Sequence, residues 1–267
     1  MIRIEPGSFF FVLNALFLMD KQTENNLTLF SPYKITSAET DMYTRIRSGA
    51  LINLLIQSAI NSADSLGFGF KGLKKQQLFW VLSRLTIEIY EPLKWHQETV
   101  VETWPKTVEG LLYTRDFILR DKEQNIIARA TSGWLAIDTE THKPKIIDGL
   151  QAELFVYLKD KHGINESPEK LPPVHQGDLF PVHTGYFDYD MNRHVTSTRY
   201  IDWMMDTFTV GFHAKNFPKR ISVNFMKETM PGDSIQIMRH TNNETQYAFE
   251  GTNLMHKTVA FRGKIDF

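Results

Sequence analysis

From Ser48 onward, Leu51, Leu54, Leu55 and Ala59 fall at the i, i+3, i+4 and i+8 positions of one helix face. Ser48 is the expected N-cap and Gly67 the expected stop, so this stretch predicts a buried central helix. Before it, residues 28–42 mix β-branched and aromatic residues with polar ones. After it, residues 79–90, 98–104, 111–120 and 126–137 are rich in strand formers. They are divided by turn signals at Glu91-Pro92 and at Lys122 to Asn125. One helix among four or five strands predicts an α+β unit with the helix packed on one sheet face.

Residues 151–181 carry Pro168, Pro172, Pro173 and Pro181 among charged residues, the composition of a linker. The pattern then begins again. A helix is predicted over 197–212, with strands near 220–227, 233–241, 245–252 and 257–266.

The repeat is also present in the letters. Residues 41–52 align without a gap on 190–201, sharing Asp, Met, Ser and Ile and placing Ile46 on Val195. Residues 84–89 match 220–225 at every apolar position, and each block is followed by a proline-containing turn and then Glu98-Thr99-Val100 or Asp233-Ser234-Ile235. Two blocks in the same order around the same helix argue for an internal duplication. Two helix-plus-sheet units that join edge to edge also remove two exposed strand edges. The expected architecture is therefore two tandem hotdog folds, each a long helix wrapped by an antiparallel sheet. The divisions are a 1–29 extension, a 30–150 N-terminal hotdog, a 151–181 linker and a 182–267 C-terminal hotdog. Leu51, Leu55, Ile201 and Met205 are the expected core positions.

Composition narrows the partners. With 42% hydrophobic residues and 19 Phe, the 267-residue chain can bury a large core. Thirty basic residues against 31 acidic ones leave a formal charge of -1, so no global field favours nucleic acid or an anionic membrane. The chain has no cysteine, which excludes disulfides, thiolate nucleophiles and every zinc site that needs sulfur. The apolar run over residues 8–19 is too short to span a bilayer. It lacks a strongly basic leader and an Ala-x-Ala cleavage site, and reads as an extension on a cytoplasmic protein or as a start placed upstream of Met19.

Several motif matches fail on context. Gly67 to Gly72 has the letters of a dinucleotide loop but is expected to follow a helix and precede a strand, the reverse of the phosphate-binding order. Asp190 to Ile201 begins like a calcium loop, yet its sixth position is Val195 and its twelfth is Ile201. No His-Glu-x-x-His or Gly-x-Ser-x-Gly occurs. What remains is Asp190, Asn192 and His194, alternate residues just before the second helix. In an extended stretch they would share one side, beside the positive end of that helix. An amide, an imidazole and helix-terminal N–H groups suit an oxyanion, and a polar cap network is the plainer use of the same residues. The duplication sets Tyr43 opposite Asn192 and Arg45 opposite His194, so capping in the first copy needs neither side chain.

Asp190-Met-Asn-Arg-His-Val with Tyr200-Ile-x-Trp203 resembles the Asp-x-Asn-x-His-Val signature of acyl-[acyl carrier protein] thioesterases. Thr103-Trp104-Pro, Arg115-Asp-Phe and Ala130-Thr-Ser-x-Trp134 are similar to the family's other strand motifs, and the resemblance covers residues 30–267 in order. It implies a double hotdog that hydrolyses fatty acyl thioesters to free fatty acid and carrier protein. The family's later acidic residue carries over as Glu228, in Met226-Lys-Glu-Thr229, whereas its neighbouring cysteine stands as Thr229. A Cys-His-Asn mechanism is thereby closed to this chain.

The catalytic set implied by the resemblance is Asp190, Asn192, His194 and Glu228, with no cofactor and no metal. Glu228 would activate water while Asn192, His194 and helix N–H groups stabilise the oxyanion, and Asp190 would hold the Asn-His segment or orient the imidazole. His194 as the base, oriented by Glu228, is the other assignment. Glu228 faces Pro92 in the first copy, which leaves one site per chain and assigns the first hotdog to the acyl pocket, with Leu54, Leu55 and Ala59 as lining positions. Thr229→Ala is expected to be nearly silent in turnover, because no covalent intermediate is formed in this scheme. The expected partners are acyl carrier protein and the fatty acyl chain, with no nucleic acid, no membrane and no required oligomer. Lys71, Lys74 and Lys75, or Lys215, Lys219 and Arg220, are candidate contacts for the acidic carrier. A coenzyme A thioesterase and a non-catalytic acyl-thioester-binding protein are the competing readings.

Overall fold

The computed structural model describes residues 26–147, 154–155 and 157–267, so the apolar run at 8–19 lies outside the described residues. The first half runs through strand β1 (Leu29–Lys34), helix α1 (Ser48–Ser65), the short helix α2 (Phe70–Lys74), then β2 (Leu78–Ile89), β3 (Glu98–Glu109), β4 (Leu112–Arg120), β5 (Ile126–Asp138) and the two-residue β6 (Pro144–Lys145). The second runs through β7 (Asp178–His183), α3 (Ser197–Asp206), α4 (Val210–Lys215), β8 (Arg220–Phe225), β9 (Ser234–Thr241), β10 (Gln246–Asn253) and β11 (Thr258–Asp266).

All the strands form one antiparallel sheet in the order β1-β3-β4-β5-β2-β8-β11-β10-β9-β7, with β6 on β5. Read outward from the middle, the two halves have the same strand order. β2 and β8 pair from Arg84↔Asn224 to Glu88↔Arg220, reinforced by a hydroxyl contact of 3.2 Å between Thr86 and Ser222 and by the Arg220–Glu88 ion pair. This is the double hotdog. Leu51, Leu55, Ile87 and Phe117 of the first half share one buried cluster with Ile201, Met204, Ile221 and Val223 of the second. Against expectation, Met205 is only half-buried and its neighbour Met204 is the fully buried residue on that face. The helices approach closely at Gly49, where a Cβ would lie 2.3 Å from Asp202 Oδ1.

The backbone repeats as the letters do. Asp41 and Asp190 both accept their downstream N–H groups, Thr44 and Arg193 both have positive φ (63° and 65°), and Ile46 N donates to Leu93 O as Val195 N does to Thr229 O. The sheet's outer strands add a pair that the letter alignment missed. Pro32 in β1 and Pro181 in β7 are both exposed and stand 149 residues apart, the offset that relates Asp41 to Asp190.

Several boundaries differ from the sequence expectation. The N-caps are Arg47 and Thr196 rather than Ser48 and Ser197, and neither side chain makes a cap bond. Their backbone N–H groups instead reach the carbonyls of Glu39 and Asp188 at 2.9 and 2.8 Å, which fixes the chain's entry into each helix. The helix expected over 197–212 breaks at Thr207 to Thr209. Thr207 Oγ1 donates back to Met204 O at 2.7 Å, and Thr209 restarts a helix by accepting from Phe212 N at 3.2 Å. β3 continues past Trp104 because its ladder shifts register between Pro105 and Thr107, the kind of irregularity that tolerates a proline. Gly67 ends α1 at φ +84°, but Gly69 then caps α2, so the Gly67 to Gly72 stretch joins two helices rather than a helix and a strand.

The proline-rich stretch is docked rather than loose. Gly163 N donates to buried Asp116 at 2.8 Å, where a Cβ would lie 2.6 Å from Phe117 O. Leu171 N donates to Asn224 Oδ1 and Asn224 Nδ2 to Glu169 O, which straps the segment across the β2–β8 seam. Its last residues, from Asp178, already belong to β7.

Candidate active site

Asp190, Asn192 and His194 do not lie on an extended stretch. Asp190 Oδ1 accepts from the N–H groups of Asn192 at 2.8 Å and His194 at 3.2 Å, while Asp190 N donates to His194 O at 2.8 Å. With Arg193 at φ +65°, the chain is curled into a closed turn at the start of α3. Such an arrangement is the known habit of Asp side chains that bond their own following backbone. The carboxylate of Asp190 thus holds the Asn-His segment. Below the turn, buried Asp188 accepts from Arg199 Nε at 2.6 Å, and Arg199 Nη1 reaches Asp202 at 3.0 Å, which locks the loop to α3.

Glu228 comes to this turn from the end of β8. The bond from Val195 N to Thr229 O, 2.9 Å long, ties the two segments together, and His194 and Glu228 each stand one residue before it. Glu228 and Asn192 are exposed and His194 is half-buried. Among the described residues, no side chain bonds the Asn192 amide, the His194 ring or the Glu228 carboxylate. Burial pushes the nearby Tyr200 hydroxyl up to about 12, and the carboxylates of Asp233 and Glu228 push in the same direction. Among the described residues there is no cluster of three His, Asp or Glu side chains able to hold a metal ion.

The equivalent turn in the first half is used up. Arg45, where His194 stands in the second, pairs with Asp41 at 2.8 Å and donates to the carbonyls of His213 at 2.8 Å and Asn216 at 3.2 Å. Tyr43, opposite Asn192, donates to Val210 O at 3.1 Å, and Arg45 also lies over the rings of Tyr43 and Phe217. Those contacts make the first turn a clamp between halves, with the Tyr43 hydroxyl and the Arg45 guanidinium both held by protein groups.

Thr229, where substitution is expected to spare turnover, has a structural role. It is fully buried, and its Oγ1 accepts from the Tyr200 hydroxyl at 2.9 Å. Thr229→Ala leaves that buried hydroxyl unpaired, so the variant should lose about 1–3 kcal/mol of stability in a denaturant melt. A melt matching that of the unsubstituted protein would show the bond to be dispensable.

The acyl pocket expected in the first half has a candidate, most of whose walls sequence reasoning did not name. Ala59, Ile60, Ala63, Phe68, Trp80, Tyr113, Arg115, Trp134 and Phe155 line a narrow, half-open cleft in the first half. Ala59 lines it as expected. Leu54 and Leu55 do not, because their side chains are spent in the main core.

The family model described as the acyl-ACP thioesterase N-terminal domain matches residues 27–153, and that of the C-terminal domain matches 173–265. The chain belongs to the acyl-ACP thioesterase family. A crystal structure of an acyl-ACP thioesterase from Bacteroides thetaiotaomicron superposes with a TM-score of 0.84 at 27% identity, covering 92% of this chain and 99% of that one. The 12:0-ACP thioesterase of Umbellularia californica shares the fold, with a TM-score of 0.78 at 19% identity over 90% of this chain and 96% of its own. The chloroplastic oleoyl-acyl carrier protein thioesterase 1 of Arabidopsis thaliana is 27% identical over 240 residues, 83% of this chain and 66% of that protein. This acyl-ACP thioesterase family member therefore spans about two thirds of the plant protein's length and nearly all of the bacterial one.

Proposed function

We propose that this protein hydrolyses fatty acyl thioesters of acyl carrier protein, with one site per chain at the turn before α3. The observation that carries the proposal is the asymmetry between two otherwise equivalent turns. In one, the Tyr43 hydroxyl and the Arg45 guanidinium are bonded to protein groups, and the other presents Asn192, His194 and Glu228 without protein partners among the described residues. Glu228 takes a proton from water, whose oxygen attacks the thioester carbonyl carbon. Asn192, His194 and the N–H groups at the start of α3 stabilise the resulting oxyanion. As that intermediate collapses, the carbon–sulfur bond breaks and the proton held by Glu228 goes to the leaving thiolate. Asp190 keeps the donors aimed by holding the turn.

The acyl chain is assigned to the first-half cleft. Subtracting 149 from Val210, His213 and Asn216, the residues that the first turn grips, gives Asn61, Asp64 and Gly67, at the C-terminal end of α1. The catalytic turn should therefore face that end of α1, where Ile60, Ala63 and Phe68 open the cleft. Ala59→Phe should fill the cleft and shift the released acids to shorter chains, as read by gas chromatography. An unchanged profile from a folded variant would place the chain elsewhere.

The carrier would meet a surface with exposed Arg193 and Lys227 next to the catalytic side chains, and exposed Lys71, Lys74 and Lys75 lie on or beside α2. No helix among the described residues is long and apolar enough to cross a membrane. A cytoplasmic location belongs to the same proposal. Thiol release from dodecanoyl-carrier protein and dodecanoyl-coenzyme A, assayed side by side, tests it. Faster release from the carrier ester supports the proposal, preference for the coenzyme A ester reassigns the substrate, and binding without release leaves a non-catalytic acyl-binding protein.

A further inference from the structure

Arg115 stands on β4 with 4% of its surface exposed, among the walls of the first-half cleft. Its Nη1 donates to Ser62 Oγ on α1 at 2.9 Å and to Thr103 Oγ1 on β3 at 3.3 Å. Its Nη2 is buried and has no partner. No carboxylate among the described residues pairs with it. The next residue, Asp116, points to the opposite sheet face, where it is taken by Lys106 at 3.0 Å and by Gly163 N. Burial alone pulls the guanidinium down to about 9, which leaves it charged at neutral pH.

A buried charge without a counter-charge is costly, and a buried donor without an acceptor adds to that cost. Packing against Ala59, Ile60, Ala63 and five aromatic side chains would be served better by an uncharged residue, so packing does not account for an arginine here. A neutral oxygen would satisfy the free N–H groups but leave the charge uncompensated, whereas a carboxylate answers both. The cleft's apolar walls suit an alkyl chain on that carboxylate.

We propose that the first-half cleft is a carboxylate-recognition site, in which an alkyl chain lies between the aromatic walls and its carboxylate pairs with Arg115 Nη2. Two molecules have this chemistry: a free fatty acid, which the proposed hydrolysis releases with its carboxylate at the catalytic turn and which would rebind here in the reverse direction, and an acyl thioester whose far end carries a second carboxylate. The assignment rests on the proposed function only in taking an acyl chain to enter this cleft.

Trp80 and Trp134 line the cleft, so their fluorescence reports occupancy independently of turnover. The unsubstituted protein should bind dodecanoate about 10- to 100-fold more tightly than methyl dodecanoate, the range expected for one charge-assisted bond. Arg115→Gln should bring the two affinities together, and Arg115→Lys should keep part of the preference. Equal affinities in the unsubstituted protein, as a water on Nη2 would produce, or a preference that survives in a folded Arg115→Gln, overturns the proposal. If Arg115→Gln does not fold, the first comparison and Arg115→Lys decide it.

The source follows from two further arms. Inhibition of dodecanoyl thioester cleavage by dodecanoate, lost in Arg115→Gln, identifies the free acid. Faster cleavage of the dodecanedioyl monothioester than of the dodecanoyl thioester, also dependent on Arg115, identifies the substrate with two acid ends. A protein that binds dodecanoate through Arg115 but cleaves no thioester would refute the hydrolase reading and leave the carboxylate site standing.

Discussion

Glu228→Gln should lower kcat by about 10²- to 10⁴-fold while leaving the melting curve and acyl binding unchanged, the usual loss on removing a general base. The isosteric change is made at an exposed side chain that has no protein bonds among the described residues, so the fold around it should be kept. Retention of the rate in the Gln variant would remove Glu228 from the chemistry and pass the role of base to His194. Rapid quench of the unsubstituted protein with mass spectrometry gives a second check, because water attack leaves no acyl group on any side chain.

His194→Ala should lower kcat by about 10²- to 10³-fold, the effect of losing one oxyanion donor. Because the turn is held by Asp190 Oδ1 through the backbone N–H groups of residues 192 and 194, the imidazole can be removed without opening it. The loss should therefore appear in kcat with little change in KM. A larger loss in KM than in kcat would make His194 a binding group. An unchanged melting curve keeps either outcome interpretable.

Much of the fold was legible because duplication writes the same instructions twice. The alternation in β2 and β8 and the shared letters around Asp41 and Asp190 fixed both halves and their correspondence. The local geometry was less accessible. An alternating Asp-Asn-His pattern suggests an extended strand, but the short carboxylate of Asp190 binds its own backbone more favourably and curls the chain. Helix limits moved where threonine hydroxyls competed for backbone groups, as at Thr207 and Thr209. Arg115 drew notice only as part of a motif, since nothing in a single strand shows that a charge will be left without a partner. That fact depends on Ser62, Thr103 and the aromatic walls, which arrive from four other elements and the segment around Phe155.

The outer strands bear on behaviour at high concentration. Among the described residues the sheet ends in two open edges, β1 and β7, and each such edge is a template onto which another molecule's strand could add, end after end, into a filament. A proline offers no N–H to such a newcomer and confines its own strand to an edge. Pro32 and Pro181 stand at matching places on the two outermost strands, so both growth directions meet the same obstacle. Fusing the halves buries two edges for good at the β2–β8 seam, and the repeated proline keeps the remaining two from recruiting strangers.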